Sequence, residues 1–186
     1  RRSPELERSG ADPDLDDADW PLLSVPGHWG RHPAFAAEAG PVLYRHRFTA
    51  PAPGPGERAW LRFDGVMAEA EVWLDGQPLG DTGVYFTPHR FDVTRFLAGS
   101  STGGGPEPDA LEAAGPGAPT EHVLAVEVAC DGDRNGSRRS FTGGLQTGPL
   151  APPGSPGGIW RPVGIDTTGP VAILRARLLC LRVSEI

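Results

Sequence analysis

The sequence contains no lysine: its 17 basic residues are all arginine, set against 24 acidic residues for a net charge of −7. A surface of that sign lacks the phosphate attraction on which non-specific nucleic-acid binders depend, so nucleic acid is not an expected partner. Long apolar runs are lacking too. None approaches the roughly 18 to 20 residues needed to cross a bilayer, and no membrane span is expected. Cysteine is scarce: Cys130 and Cys180 stand alone, without CxxC spacing, and cannot by themselves make a four-ligand zinc site. Their apolar neighbours suit buried free thiols, with a disulfide as the alternative. No initiator Met is present, which leaves room for upstream sequence, and no apolar stretch follows Arg1-Arg2-Ser3-Pro4-Glu5 to make a secretory signal. Location is left open, with the cytoplasm favoured.

The motifs of common enzyme classes are also missing. No serine sits in a GxSxG elbow, and no GxGxxG or Walker sequence follows a strand. The five histidines, His28, His32, His46, His89 and His122, are scattered without an HExxH pair or a Cys partner, so no transition-metal site is expected. The acidic stretch Asp12-Pro13-Asp14-Leu15-Asp16-Asp17-Ala18-Asp19 lacks the turn glycine and distal Glu of an EF-hand loop; it reads as an exposed entry segment leading to an anchoring Trp20.

What the chain has in abundance is Gly (26) and Pro (21), about a quarter of its residues and a level that raises the question of low complexity. Most of the excess is concentrated in three patches, at 51–56, 99–119 and 143–158. The first reads as a tight loop, the second as a flexible surface insertion spanning 99–120, and the third as a long loop. Between them apolar residues recur at every second position, the spacing of a half-buried strand. Ala59, Leu61 and Phe63 form one such face, as do Ala70, Val72 and Leu74, then Leu124, Val126, Val128 and Cys130; Tyr44, His46 and Phe48 are read the same way. Asp75-Gly76 supplies the positive φ of a two-residue hairpin turn between Glu69–Leu74 and Gln77–Gly80. Ile159 to Asp166 reads as a further strand. A short helical turn is expected near Thr94, capped by Asp92 or Thr94 itself. Val171 to Val183 fits a strand or an amphipathic helix, with its Val and Ile favouring strand. Many short strands without βα alternation predict an all-β, antiparallel two-sheet sandwich at 186 residues, long enough for its own core.

Taken in order, several segments resemble the N-terminal sugar-binding domain of glycoside hydrolase family 2, the family of β-galactosidases, β-glucuronidases and β-mannosidases. They are Leu15-Asp16-Asp17-Ala18-Asp19-Trp20 with Val25-Pro26-Gly27-His28-Trp29, then Tyr44-Arg45-His46-Arg47-Phe48, Leu61-Arg62-Phe63-Asp64-Gly65-Val66, Ala70-Glu71-Val72-Trp73-Leu74-Asp75-Gly76, Phe91-Asp92-Val93-Thr94, Val123 to Val128, and Gly158-Ile159-Trp160-Arg161-Pro162-Val163. The resemblance implies a galactose-binding-domain-like jelly-roll over residues 1–183. Residues 184–186 would begin a following domain, with an immunoglobulin-like domain and a catalytic (β/α)8 barrel as partners. Two departures stand out: Thr82-Gly83-Val84-Tyr85-Phe86 lacks a second Gly, and Leu145 of Gly144-Leu145-Gln146 stands where some members have Lys.

A retaining glycosidase needs two carboxyl groups roughly 5 Å apart across the scissile bond. The resemblance puts both on the barrel, so no catalytic residue, cofactor or metal is assigned to this chain; Glu69, Glu71 and Glu127 read as outer-face charges, and a structural calcium is left open. Sugar recognition needs flat apolar faces beside groups that bond hydroxyls. Trp29, Trp73, Tyr85 and Trp160 are the aromatic candidates, each of which could instead serve packing. The site assigned is Asp64, Tyr85, Gln146, Trp160 and Arg161, with carbohydrate as ligand. The expected function is a non-catalytic domain that helps shape a glycosidase's substrate site; the alternatives are a freestanding lectin-like module or an interaction sandwich.

Overall fold

The structure is a computed structural model that describes residues 10–38, 40–67, 69–83, 86–99, 119–130, 156–173, 176, 177 and 179. Among the described residues, two 3-10 turns (Trp29–Arg31 and Pro33–Phe35) precede seven strands and one α-helical turn in the order β1 (Val42–Ala50), β2 (Arg58–Phe63), β3 (Glu69–Leu74), β4 (Gln77–Thr82), β5 (His89–Asp92), α1 (Thr94–Leu97), β6 (Thr120–Ala129) and β7 (Val163–Thr168). They form two antiparallel sheets, one of four strands in the order β1-β6-β3-β4 and one of three in the order β5-β2-β7. This is the two-sheet sandwich that the alternation predicts.

The period-2 faces do the packing. Ala59, Leu61 and Phe63 from one sheet meet Ala70, Val72, Leu74, Leu124, Val126 and Val128 from the other, and all are buried. Cys130 continues the β6 face and is buried. The turn between β3 and β4 falls at Asp75-Gly76, with φ of 51° and 76°, the left-handed pair that a two-residue hairpin requires. Strand β4 runs two residues past the expected Gly80, to Thr82. At α1 the Asp92 carboxylate accepts from the Thr94 N–H (3.0 Å) and from its hydroxyl (2.5 Å), so the turn is secured by Asp92, one residue ahead of the formal cap Val93.

The outer face of the four-stranded sheet is covered as well. Trp73 and Ala125 lie side by side in register, and the entry segment lays Ala11 against them with Leu43 alongside. Arg45, level with Ala125 on the next strand, holds that segment down: its side chain is 2% exposed, donates to the Asp17 carboxylate at 2.7 Å and also bonds the Gly10 carbonyl at 2.7 Å. Arg47 adds bonds to the Pro13 and Leu15 carbonyls. The acidic stretch is therefore only partly a solvated face, because Asp17 is a clasp. Trp20 does not anchor the segment by burial; it is 39% exposed.

One alternation departs from expectation. Tyr44 and Phe48 of β1 turn inward but are half-buried, and His46 is exposed, because the sandwich gapes between β1 and β7. The strand expected over Ile159–Asp166 is found as β7, four residues later at its start; before it, Gly158 makes an isolated bridge with Met67. The described residues of the 171–183 segment lie in no strand. Residues 100–118 and 131–155, with most of the expected insertion and long loop, lie outside the described residues.

Candidate functional site

The pairing of β2 with β7 continues one step past the ends of the strands. Phe63 is opposite Val163, the Asp64 N–H donates to the Pro162 carbonyl (3.0 Å), and the Arg161 N–H donates to the Gly65 carbonyl (3.3 Å). Antiparallel pairing thus brings Asp64 beside Trp160 and Arg161, about a hundred residues away in sequence. Three of the five expected site residues meet at this end of the smaller sheet. The other two, Tyr85 and Gln146, lie outside the described residues.

Gly65 makes room for the indole. A Cβ at this position would lie 2.9 Å from Cε2 and Nε1 of Trp160, closer than a side chain tolerates. The Arg161 guanidinium carbon stands 4.5 Å from the Trp160 ring centroid, within cation–π range. Phe86 meets the indole edge-on, with centroids 6.3 Å apart and an interplanar angle of 89°, and remains 60% exposed. The Trp160 Nε1–H is buried and has no hydrogen-bond partner among the described residues. A buried donor without an acceptor costs about 1–3 kcal/mol, so this end of the sheet can repay an acceptor brought to it.

Asp64 is tied into a charge ladder. Arg62 donates through Nη1 to the Asp64 carboxylate and through Nε to Asp166 at 2.8 Å. The hydrogen bond that Arg62 donates to Asp64, then that to Asp166, hold its guanidinium above its ordinary pKa. With both carboxylates fixed on one cation, the arrangement orients oxygens that can accept from a sugar hydroxyl and does not resemble an acid/base pair. Glu69, Glu71 and Glu127 lie on the outer face of the larger sheet, Glu71 opposite Glu127 in register.

Sequence reasoning missed Phe86, Arg62 and Asp166. Phe86 neighbours the assigned Tyr85, so its loop was in view; Arg62 read only as the outward member of an alternation, and nothing in the local sequence links it to Asp166. Two of the aromatic candidates serve packing: Trp29 is 1% exposed, with its indole N–H donating to the Glu38 carbonyl (3.0 Å), and Trp73 is buried under the entry segment. Among the described residues no group of three or more His, Cys, Asp or Glu side chains is placed to hold a metal ion. His28, His32 and His122 each have a structural partner: the Pro156 carbonyl (2.5 Å), the Ala34 N–H (3.2 Å) and the Asp75 carboxylate (2.7 Å).

A second concavity, the cleft between β1 and β7, has a volume of about 790 Å³ and mostly apolar walls. Burial there pushes the Tyr44 hydroxyl up to about 12, against a hydrogen bond from the Ile159 backbone.

Comparison with known proteins fits this architecture. Residues 35–103 match the family model described as the glycosyl hydrolase 2 galactose-binding domain-like domain. A beta-galactosidase of Bacteroides ovatus is 25% identical over 174 residues, 88% of this chain and 16% of that protein. The beta-galactosidase large subunit of Latilactobacillus sakei is 35% identical over 85 residues, 38% of this chain and 14% of the relative. Among solved structures, a beta-glucuronidase of Bacteroides uniformis superposes with a TM-score of 0.55 at 23% identity, covering 86% of this chain and 16% of that one. A beta-glucuronidase of Bifidobacterium dentium, solved with coumarin-3-O-glucuronide, gives 0.53 at 24% identity, covering 88% and 27%. The chain thus spans a small part of the length of the relatives it matches.

Proposed function

We propose that this chain, whose residues 35–103 match the glycosyl hydrolase 2 galactose-binding domain-like model, is a non-catalytic sandwich that helps shape the carbohydrate site of a larger glycosidase. On this reading residues 1–183 form the domain and 184–186 lead into the next. The immunoglobulin-like and (β/α)8 barrel domains would be its partners, the barrel holding the bond-breaking carboxylates. The observation that carries the reading is the meeting of Asp64, Trp160 and Arg161 at one sheet end, in a chain matched to that domain. Phe86 and the adjoining Tyr85 would extend the aromatic surface, with Gln146 brought from the long loop to bond hydroxyls.

The purified chain is expected to leave nitrophenyl β-galactoside, β-glucuronide and β-mannoside intact. Turnover that disappears when one carboxylate is replaced would overturn the reading.

The exposed Phe86 beside Trp160 also favours a second reading, a lectin-like module that binds sugar unaided. Calorimetric titration against a sugar panel separates the two. The first reading expects no measurable heat from the chain alone; the second expects saturable binding that Trp160→Ala abolishes.

A further inference from the structure

The sandwich is open along one side, where β1 is the edge of one sheet and β7 the edge of the other. The cleft between them is deeper than a groove at two edges. It reaches past them to Leu124 and Val126 of β6 and to Leu61 and Phe63 of β2, each on the second strand in, and all four are buried. The half-buried Tyr44, Phe48, Val163 and Ile165 form its sides, with the exposed Trp20 and Leu22 at its rim. Its volume of about 790 Å³ falls within the roughly 300–1,000 Å³ of small-molecule sites. Left empty, an apolar cleft forfeits dispersion contacts and the gain from removing apolar area from water.

The polar groups along the cleft define what it can hold. Asp17 and Arg45 are bonded to each other, and Arg47 is bonded to the Pro13 and Leu15 carbonyls, so these charges are already spent. His46 lies at the exposed mouth. A charged ligand would therefore lose hydration in an apolar cleft without a counter-ion to offset the loss. The Tyr44 hydroxyl is placed differently: its oxygen accepts from the Ile159 backbone, which leaves its own proton for an acceptor within the cleft. The rings of Tyr44, Phe48 and Phe63 add flat faces and edges on which another ring can pack.

We propose that the cleft between β1 and β7 is a binding site for an uncharged, flat aromatic molecule bearing one hydrogen-bond acceptor, its rings packed against Tyr44, Phe48 and Phe63 and its acceptor on the Tyr44 hydroxyl. Such a ligand meets each feature at once: apolar walls, aromatic surfaces and a single available donor. The inference goes beyond the sugar-site reading and does not rest on it, because Asp64, Trp160 and Arg161 do not line the cleft.

The probe is prodan, an uncharged naphthyl ketone whose emission moves to the blue in apolar surroundings and to the red when its carbonyl accepts a hydrogen bond. Titrated with the full 186-residue chain, it is expected to bind saturably, one to one, with blue-shifted emission. Tyr44→Phe, which keeps the ring and removes the hydroxyl, is expected to weaken binding about fivefold and to move the bound emission further to the blue. Ile165→Trp, which sets an indole into the cleft, is expected to abolish binding; if that variant does not fold, the two readouts of Tyr44→Phe decide. Failure to saturate, or binding that Tyr44→Phe leaves unchanged in affinity and colour, would overturn the proposal. So would a signal that a folded Ile165→Trp retains and Trp160→Ala removes, because the dye would then sit on the aromatic end of the smaller sheet.

Discussion

Gly65 and Trp160 occupy one another's space, and the candidate site depends on that contact. Gly65→Ala would set a methyl 2.9 Å from the indole and force it aside. A loss of about 1–3 kcal/mol in urea unfolding is expected, with a change in the near-ultraviolet dichroism of the tryptophans. Asp17 makes a different kind of contact. The hydrogen bond from the buried Arg45 holds its carboxyl below the usual carboxylate range, and burial only partly opposes this. Because the folded pKa lies below the unfolded one, the stabilisation is fully present above the unfolded value of 3.8 and fades as pH falls through the folded value. Asp92 behaves alike: burial raises it, but hydrogen bonds from Thr94 and Arg58 outweigh burial and lower it overall. Asp17→Asn, which leaves the Arg45 charge without its counter-ion, is expected to cost about 2–4 kcal/mol at pH 7 and markedly less once the pH has fallen through the lowered folded value, as read from urea midpoints. At the alkaline end the sign reverses for Tyr44. Its phenolate is disfavoured in the fold, so stability should decline as pH rises above 10 and its absorbance change should wait until about 12. A Tyr44 that ionises near 10 in the native protein would show the cleft to be wetter than described. At this scale the sequence was informative where a residue type has few uses. Asp64, Trp160 and Arg161 stood out by chemistry and motif order, but Arg62 could be joined to Asp166 only by cross-strand register, which no local pattern encodes.

Among the elements, the β3–β4 hairpin was the most legible, because Asp75-Gly76 between two alternating runs leaves the backbone few choices. Gly76 has φ of 76°, and a Cβ there would come 3.1 Å from Cδ of Pro13 in the entry segment. Gly76→Ala is expected to cost about 1–2 kcal/mol, measured by thermal or urea unfolding, through backbone strain and a loosened entry segment; a neutral result would mean that the turn relaxes freely. Strand β6 was equally readable, its apolar face unbroken from Leu124 to Cys130. β1 was less so. Its Tyr44-His46-Phe48 alternation fits an inward face, yet His46 stays exposed because inwardness depends on what lies opposite, and opposite β1 the sandwich is open. The outer rows were hidden for a similar reason. Trp73 and Arg45 fall by period on the face away from the inter-sheet core, and only the return of residues 10–17 across the sheet buries them.

For the whole molecule, two amphipathic sheets need only each other to bury their apolar faces, which is why fold class followed from periodicity and turn chemistry alone. Function did not follow in the same way. A sandwich offers surfaces and loop ends, and in this one the described carboxylates nearest the aromatic cluster are spent on Arg62 rather than set across a scissile bond. The central claim is that this domain contributes to a carbohydrate site without owning the group that breaks the bond. A retaining glycosidase forms an ester between sugar and its nucleophilic carboxylate, and a 2-deoxy-2-fluoro glycosyl fluoride traps that ester. Intact-mass measurement of the chain after incubation with the galactosyl, glucuronyl and mannosyl reagents is therefore the most direct test. The account predicts an unchanged mass with all three; a single stoichiometric glycosyl adduct on an Asp or Glu of this chain would contradict it.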